Sequence, residues 1–143
     1  MNPLGTNHLK IKKRKDLIIM KLWAIGATWG NEDVSGKFVD EGYVKLGWNE
    51  DDAPILYKLF RKVKVGDFIY IKSFAMKDHS IRIKAIGMVT SNDDKELKVD
   101  WKFKNQTPIK YVLTKNEDRY NVYPLSFYRE YSDDIIKIVR ENI

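Results

Sequence analysis

Glu96 to Lys104, ELKVDWKFK, alternates without a break: Leu97, Val99, Trp101 and Phe103 fall on one side of an extended chain, and Lys98, Asp100, Lys102 and Lys104 on the other. A period of two suits a strand with one covered face and one wet face; a helix would scatter the same side chains around its axis. This stretch commits the chain to a sheet. Other runs join it. KLWAIGA (Lys21 to Ala27) and GYVKLGW (Gly42 to Trp48) read as strands that stop beside glycine, and VKVGDFIYIKSFA enters a β-branched and aromatic strand through a Gly66-Asp67 turn. SIRIKAIGMVT gives a further strand, with MKDHS as the hairpin loop before it; KYVLTK and RYNVYPL are shorter candidates.

Helical spacing is confined to three places. VSGKFVDE (Val34 to Glu41) reads as a short helix, and Pro54 opens ILYKLFRKV, whose apolar residues Ile55, Leu56, Leu59, Phe60 and Val63 predict one buried face. SDDIIKIVRENI has Ser132 as N-cap, an acidic first turn and apolar spacing for a closing helix. The fold class expected is α+β: a curved or closed β-barrel with two or three inserted or flanking helices. With 143 residues and 43% apolar content, one domain over 20–143 can bury a core of its own. Residues 1–19 precede it as a basic arm carrying Lys10, Lys12, Lys13, Arg14 and Lys15; an electrostatic arm for nucleic acid, a solvated leader, and a start at Met20 are all compatible with it.

Several function classes lose their chemistry at once. No cysteine is present, which removes disulfides, thiolate nucleophiles and thiolate metal sites, and an intracellular, cytoplasmic protein is the default expectation. No apolar run approaches the roughly 20 residues that span a bilayer, so no membrane partner is expected. His8 and His79 are the two histidines, and neither belongs to a catalytic or metal-binding spacing; NEDD and SNDDKE read as solvated turns. Neither a catalytic group nor a cofactor or metal is therefore predicted.

What remains is a surplus of rings on a basic chain. Four Trp, eight Tyr and six Phe accompany a net charge of +6. Trp23 lies mid-strand and Trp101 shares its face with Val99 and Phe103, so both are assigned to the core. Trp29 and Trp48 stand at strand ends beside glycine, where a pocket wall and ordinary packing are both open readings. At the far end of the Gly-Asp strand, Lys72, Ser73 and Phe74 set a cation, a hydroxyl and a ring side by side, which are the groups that neutralise phosphate, bond a base edge and stack on a base. Tyr43 is a further pocket candidate. Lys72, Lys77, Arg82, Lys84, Lys102 and Lys104 can form a phosphate track if their strands pair with polar faces aligned; a solvated sheet face gives the same pattern.

WAIGATWG, GYVKLGW, VGDFIYIKS and IKAIGMV, in this order, resemble the EVE and YTH branch of the PUA-like superfamily over about Lys21 to Lys104, and are also similar to the modules at the front of McrBC-type methyl-dependent restriction GTPases. The resemblance implies a compact barrel that takes a flipped, modified base into an aromatic pocket, in DNA or less favourably RNA, as part of host defence. Trp48 matches the second-segment Trp of the pattern, Ser73 and Phe74 the end of the Gly-Asp strand, and Trp29 supplies another wall. The chain departs from the pattern after Trp48, where WNEDDAP replaces W-x-x-x-x-N. The expected function is non-catalytic recognition of a modified base, with a separate nuclease or nucleotide-driven motor as effector. Two rivals stand beside it: an ASCH-like hydrolase of RNA or a nucleoside built on Lys72 and a carboxylate, and a protein-interaction module.

Overall fold

The computed structural model describes residues 21–113 and 125–143, so the basic arm, His8 and most of RYNVYPL lie outside the described residues. Among the described residues, eight strands and three helices follow in order: β1 (Leu22–Gly26), β2 (Thr28–Trp29), β3 (Glu32–Asp33), α1 (Ser35–Glu41), β4 (Tyr43–Val44), α2 (Pro54–Phe60), β5 (Phe68–Ala75), β6 (Ser80–Asn92), β7 (Leu97–Val112), β8 (Phe127–Glu130) and α3 (Asp133–Glu141). Six strands form one mixed sheet in the order β4-β7-β6-β5-β1-β8, while β2 and β3 make a small ribbon. β1 and β5 pair in parallel, Leu22 opposite Phe68 through Gly26 opposite Lys72, and the other neighbours are antiparallel. A parallel pair needs a crossover, and the connection carrying α1 and α2 supplies it.

Both faces of the central strands are buried. In β1, Trp23 and Ile25 join one cluster with Phe38 of α1 and Tyr57 and Phe60 of α2; Leu22 and Ala24 join the other with Tyr70, Ile135 and Val139. Helices α1 and α2 thus cover one face, and α3 covers the opposite one. Ser132 caps α3 by accepting from the Ile135 backbone N–H at 3.3 Å, and the Tyr111 hydroxyl donates to Asp134 at 3.0 Å, tying the helix start to β7.

The sheet is curled into a half-barrel. Its long strands change register at Ile71/Lys72 between β5 and β6, and at Ile83/Ala85, Ile86/Gly87 and Val89/Ser91 between β6 and β7. Each extra residue bends the strand and sends the following side chains to the other face. Ile81 and Ile83 belong to one cluster and Ala85 to the other. The same switch corrects the opening expectation: Trp101 packs with Leu97 and Val99, but Phe103 packs on the opposite cluster, because Trp101 faces Gly87 and Phe103 faces its neighbour Ile86, leaving Lys102 as the extra residue.

Two further expectations shift. Ile55 is 81% exposed, while Tyr57 is buried and donates its hydroxyl to the Trp48 carbonyl at 2.7 Å. That bond turns the buried arc of α2 toward Tyr57 and leaves Ile55 just beyond its edge. GYVKLGW pairs with β7 only through Tyr43 and Val44; Leu46 is buried, and Gly47-Trp48 leaves the sheet. Trp23 is in the core as expected, stacked on Phe127 at 5.4 Å, with its indole N–H donated to Asp67 at 3.0 Å. The Asp67 carboxylate also accepts from the Lys64 backbone N–H at 2.9 Å, which ties the Gly66-Asp67 turn to the first strand.

Candidate functional site

β1 ends at Gly26, opposite Lys72, but β5 runs on to Ala75, so Ser73 and Phe74 project past the end of their parallel neighbour. Ala27 to Gly30, leaving β1, and Leu46 to Trp48, after β4, stand beside this strand end. A cleft of about 630 Å³ opens between them, lined by Trp29, Leu46, Trp48, Lys72, Ser73, Phe74, Met76 and Ser126, among others. Five sequence candidates from three separated segments therefore meet at one opening. Ser126 closes the back; its carbonyl accepts from the Gly26 N–H at 2.7 Å, which extends the pairing of β1 with β8.

The rings are held differently. Trp48 is 53% exposed, and its indole N–H reaches the Ser126 hydroxyl at 3.4 Å. Trp29 lies flat against the chain at Gly47: a Cβ on residue 47 would fall 2.3 Å from Trp29 Cδ1, so only glycine admits the ring. Trp29 meets Phe38 edge-on at 5.7 Å, the Lys45 ammonium stands 5.5 Å from its ring, and its buried Nε1 has no hydrogen-bond partner. It is a packed wall, whereas Trp48 is an exposed rim. Phe74 is half-buried against the second cluster, with His79 edge-on at 6.0 Å. Tyr43, in contrast, does not line the cleft: β4 seats it under α1, edge-on to Phe38 at 5.1 Å.

Beneath the opening lies a buried polar network. Lys72 is 5% exposed and its ammonium stands 5.5 Å from the centre of the Tyr128 ring. Glu130, equally buried, accepts from the Tyr70 hydroxyl at 2.5 Å and from the backbone N–H groups of Tyr131 and Ser132 at 3.1 and 3.2 Å; the Tyr70 and Tyr128 hydroxyls are 3.2 Å apart. Burial lowers the Lys72 pKa to about 8, against the pull of Glu130, and pushes Tyr70 well above its usual value. Glu130, Tyr128 and Ser126 escaped the sequence reading. FYRE shows no alternation because both faces of β8 are covered and one inward residue is acidic.

A stability test follows from Lys72. Between pH 8 and the ordinary lysine value near 10.5, the unfolded chain holds this proton and the folded chain does not, so the group makes stability rise with pH across that window. Its contribution is up to about 3 kcal/mol. Denaturant unfolding at pH 7.5 and 10.5 should show that rise in the wild type relative to Lys72→Met; parallel pH responses would refute it. The comparison cancels tyrosine ionisation, which acts in the opposite direction.

The phosphate track is not assembled. Lys72 is at the cleft floor, and Lys77 is exposed in the turn after β5. Arg82 faces Asp78 at 3.7 Å, Lys84 faces Asp33 at 3.1 Å and Lys102 faces Asp100 at 2.7 Å. Lys104 and Lys84 line a second cleft of about 560 Å³ with Asp33 and Asp40. The register shifts are the reason, since they turn Lys104 toward α1 and break the common face it was expected to share with Lys98. The acidic loops are engaged in turns and pairs: Glu50 holds Arg61 at 2.5 Å, and Asp93 accepts from the Lys95 and Glu96 backbone N–H groups. No helix among the described residues is long and apolar enough to cross a membrane, and these residues contain no cluster of three or more histidine or carboxylate side chains placed to hold a metal.

No protein-family model matches the chain, and no curated protein matches it.

Proposed function

We propose that the chain is a PUA-like, EVE-type module that captures a modified base, flipped from DNA or, as the less favoured case, RNA, without acting on it chemically. The observation that carries this reading is the convergence of Trp29, Trp48 and Phe74 around one opening with Ser73 and Lys72 inside it. The curled mixed sheet with three helices supports the PUA-like architecture. Trp48 and Phe74 stack on the base, Trp29 backs it, and Ser73 or Ser126 bonds its edge. A separate nuclease or nucleotide-driven motor would turn recognition into an outcome.

Stacking on an aromatic ring contributes about 1 to 3 kcal/mol per base, comparable to the few kcal/mol needed to extrude one from a duplex. Two rings therefore offset extrusion, and edge contacts decide the net affinity. The test is fluorescence polarisation with matched oligonucleotides, unmodified or carrying N6-methyladenine or 5-methylcytosine, as DNA and RNA over a salt series. Preference for one modified strand is expected, and Trp48→Ala should weaken it by roughly 5- to 150-fold with unchanged circular dichroism, because the exposed ring supports little packing. Affinity that is uniform across strands and vanishes with salt would leave only a basic surface.

Lys72 also supports a second reading. A buried amine with its pKa lowered to about 8, near Glu130 and open to a cleft, is suited to proton transfer in a hydrolase. Ligand recovered unchanged after prolonged incubation would discard it, and turnover lost in Lys72→Ala would replace the reader with an enzyme.

A further inference from the structure

Lys72 is the single residue with a charged side chain among the described lining residues of the cleft. The other polar side chains there are the hydroxyls of Thr28, Ser73 and Ser126 and the two indoles; no carboxylate or carboxamide is among them. An ammonium carries three N–H donors and no acceptor, and an indole only donates. The amino edge of adenine is ordinarily met by the acceptor of a carboxamide, which these lining residues lack. Lys72 and the two indoles thus only donate, and the three hydroxyls, which can donate or accept, are the remaining polar side chains. Lys72 stays there because β5 is buried on both sides at this point, with Gly26 of β1 opposite it and Tyr128 of β8 under its ammonium.

Resting on the base-capture reading, we propose that Lys72 makes the cleft selective for a ring that presents a carbonyl acceptor at its inner end, over a ring that presents only an amino donor there. A carbonyl facing the ammonium gains a charge-assisted hydrogen bond, while an amino group leaves two donors face to face in a site from which water has been displaced. A site built to bond one group rejects the analogue lacking it far more strongly than an apolar pocket rejects a missing methyl. The chemical class of ligand is therefore a keto base, whatever substituent its ring carries. Among the described residues, the charged and titratable groups facing Lys72 include Glu130 and Tyr128 of β8, with Tyr70 of β5 joined to both through its hydroxyl. Only Lys72 among them lines the cleft.

The test uses the full chain and two pairs of probes in an oligo-deoxyadenosine strand: hypoxanthine against N6-methyladenine, and thymine against 5-methylcytosine, each pair setting a carbonyl against an amino group at the same ring position. An abasic strand sets the background. In whichever pair binds above that background, the carbonyl member should bind about tenfold or more tightly, a preference that collapses in Lys72→Met and declines in the wild type as pH rises through about 8. If that variant fails to fold, the probe pairs and the pH series on the wild type decide the matter. Equal binding within a pair, or a preference for the amino member, overturns the inference while leaving base capture standing, provided the affinity still depends on Trp48. A carbonyl preference that persists unchanged above pH 9 removes Lys72 from the role. Binding of no probe above the abasic strand overturns base capture and this inference together.

Discussion

Phe38→Ala is expected to lower unfolding stability by about 3 to 5 kcal/mol, the range for removing a fully buried aromatic side chain. Phe38 is 0% exposed and is the one buried residue of α1. It touches Trp29 and Tyr43 edge-on, and its backbone carbonyl accepts from the Trp101 indole N–H at 3.0 Å. The helix has seven residues, no side-chain cap and no acidic first turn, so it is not stable by itself and stays on the sheet through this ring. Chemical denaturation measures the loss directly. A decrease below about 1 kcal/mol would mean that neighbouring rings collapse into the space and that α1 is not anchored here. Trp29 should loosen in parallel, seen as a red-shifted tryptophan emission in the folded variant.

Glu130→Ala is expected to cost a similar amount, about 3 to 5 kcal/mol, for an electrostatic reason. Breaking a buried charged network strands the groups that remain, and the penalty of the stranded groups dominates the loss. Here the Tyr70 hydroxyl and two backbone N–H groups at the start of α3 lose their acceptor, and the buried Lys72 loses a countercharge. Glu130→Gln keeps the size and one acceptor and should lose clearly less. Equal losses in the two variants would assign the effect to packing alone. Because Glu130 raises the Lys72 pKa, the Gln variant should also shift the lysine-dependent rise in stability to lower pH.

Most of the elements were legible because local chemistry specifies them. The Gly66-Asp67 turn, the Ser132 cap and the Pro54 helix start each rest on a side chain acting within a few residues of itself. β8 was not legible: FYRE is short, buries Phe127, Tyr128 and Glu130, and so lacks the alternation that marks a half-exposed strand. The face reversal of Phe103 was hidden for a related reason. A bulge is a property of two paired strands, and ELKVDWKFK carries no sign of the residue it faces.

The candidate site divides along the same line. From the sequence alone, Trp29 and Trp48 stood out as rings at glycine-bounded strand ends, and Lys72, Ser73 and Phe74 as a polar and aromatic strand terminus. Tyr43 had the same apparent credentials, but pairing with β7 buries it. By itself, the sequence determined which residues are extended, which are helical and which chemical groups end each strand, since those follow from side-chain period, turn geometry and capping. Only the tertiary structure decided that five of those groups share one opening, that Lys72 is buried near Glu130, and that Arg82, Lys84 and Lys102 pair with separate carboxylates. These outcomes depend on strand order and register, which are fixed by burying both faces of the sheet at once and which no local pattern encodes.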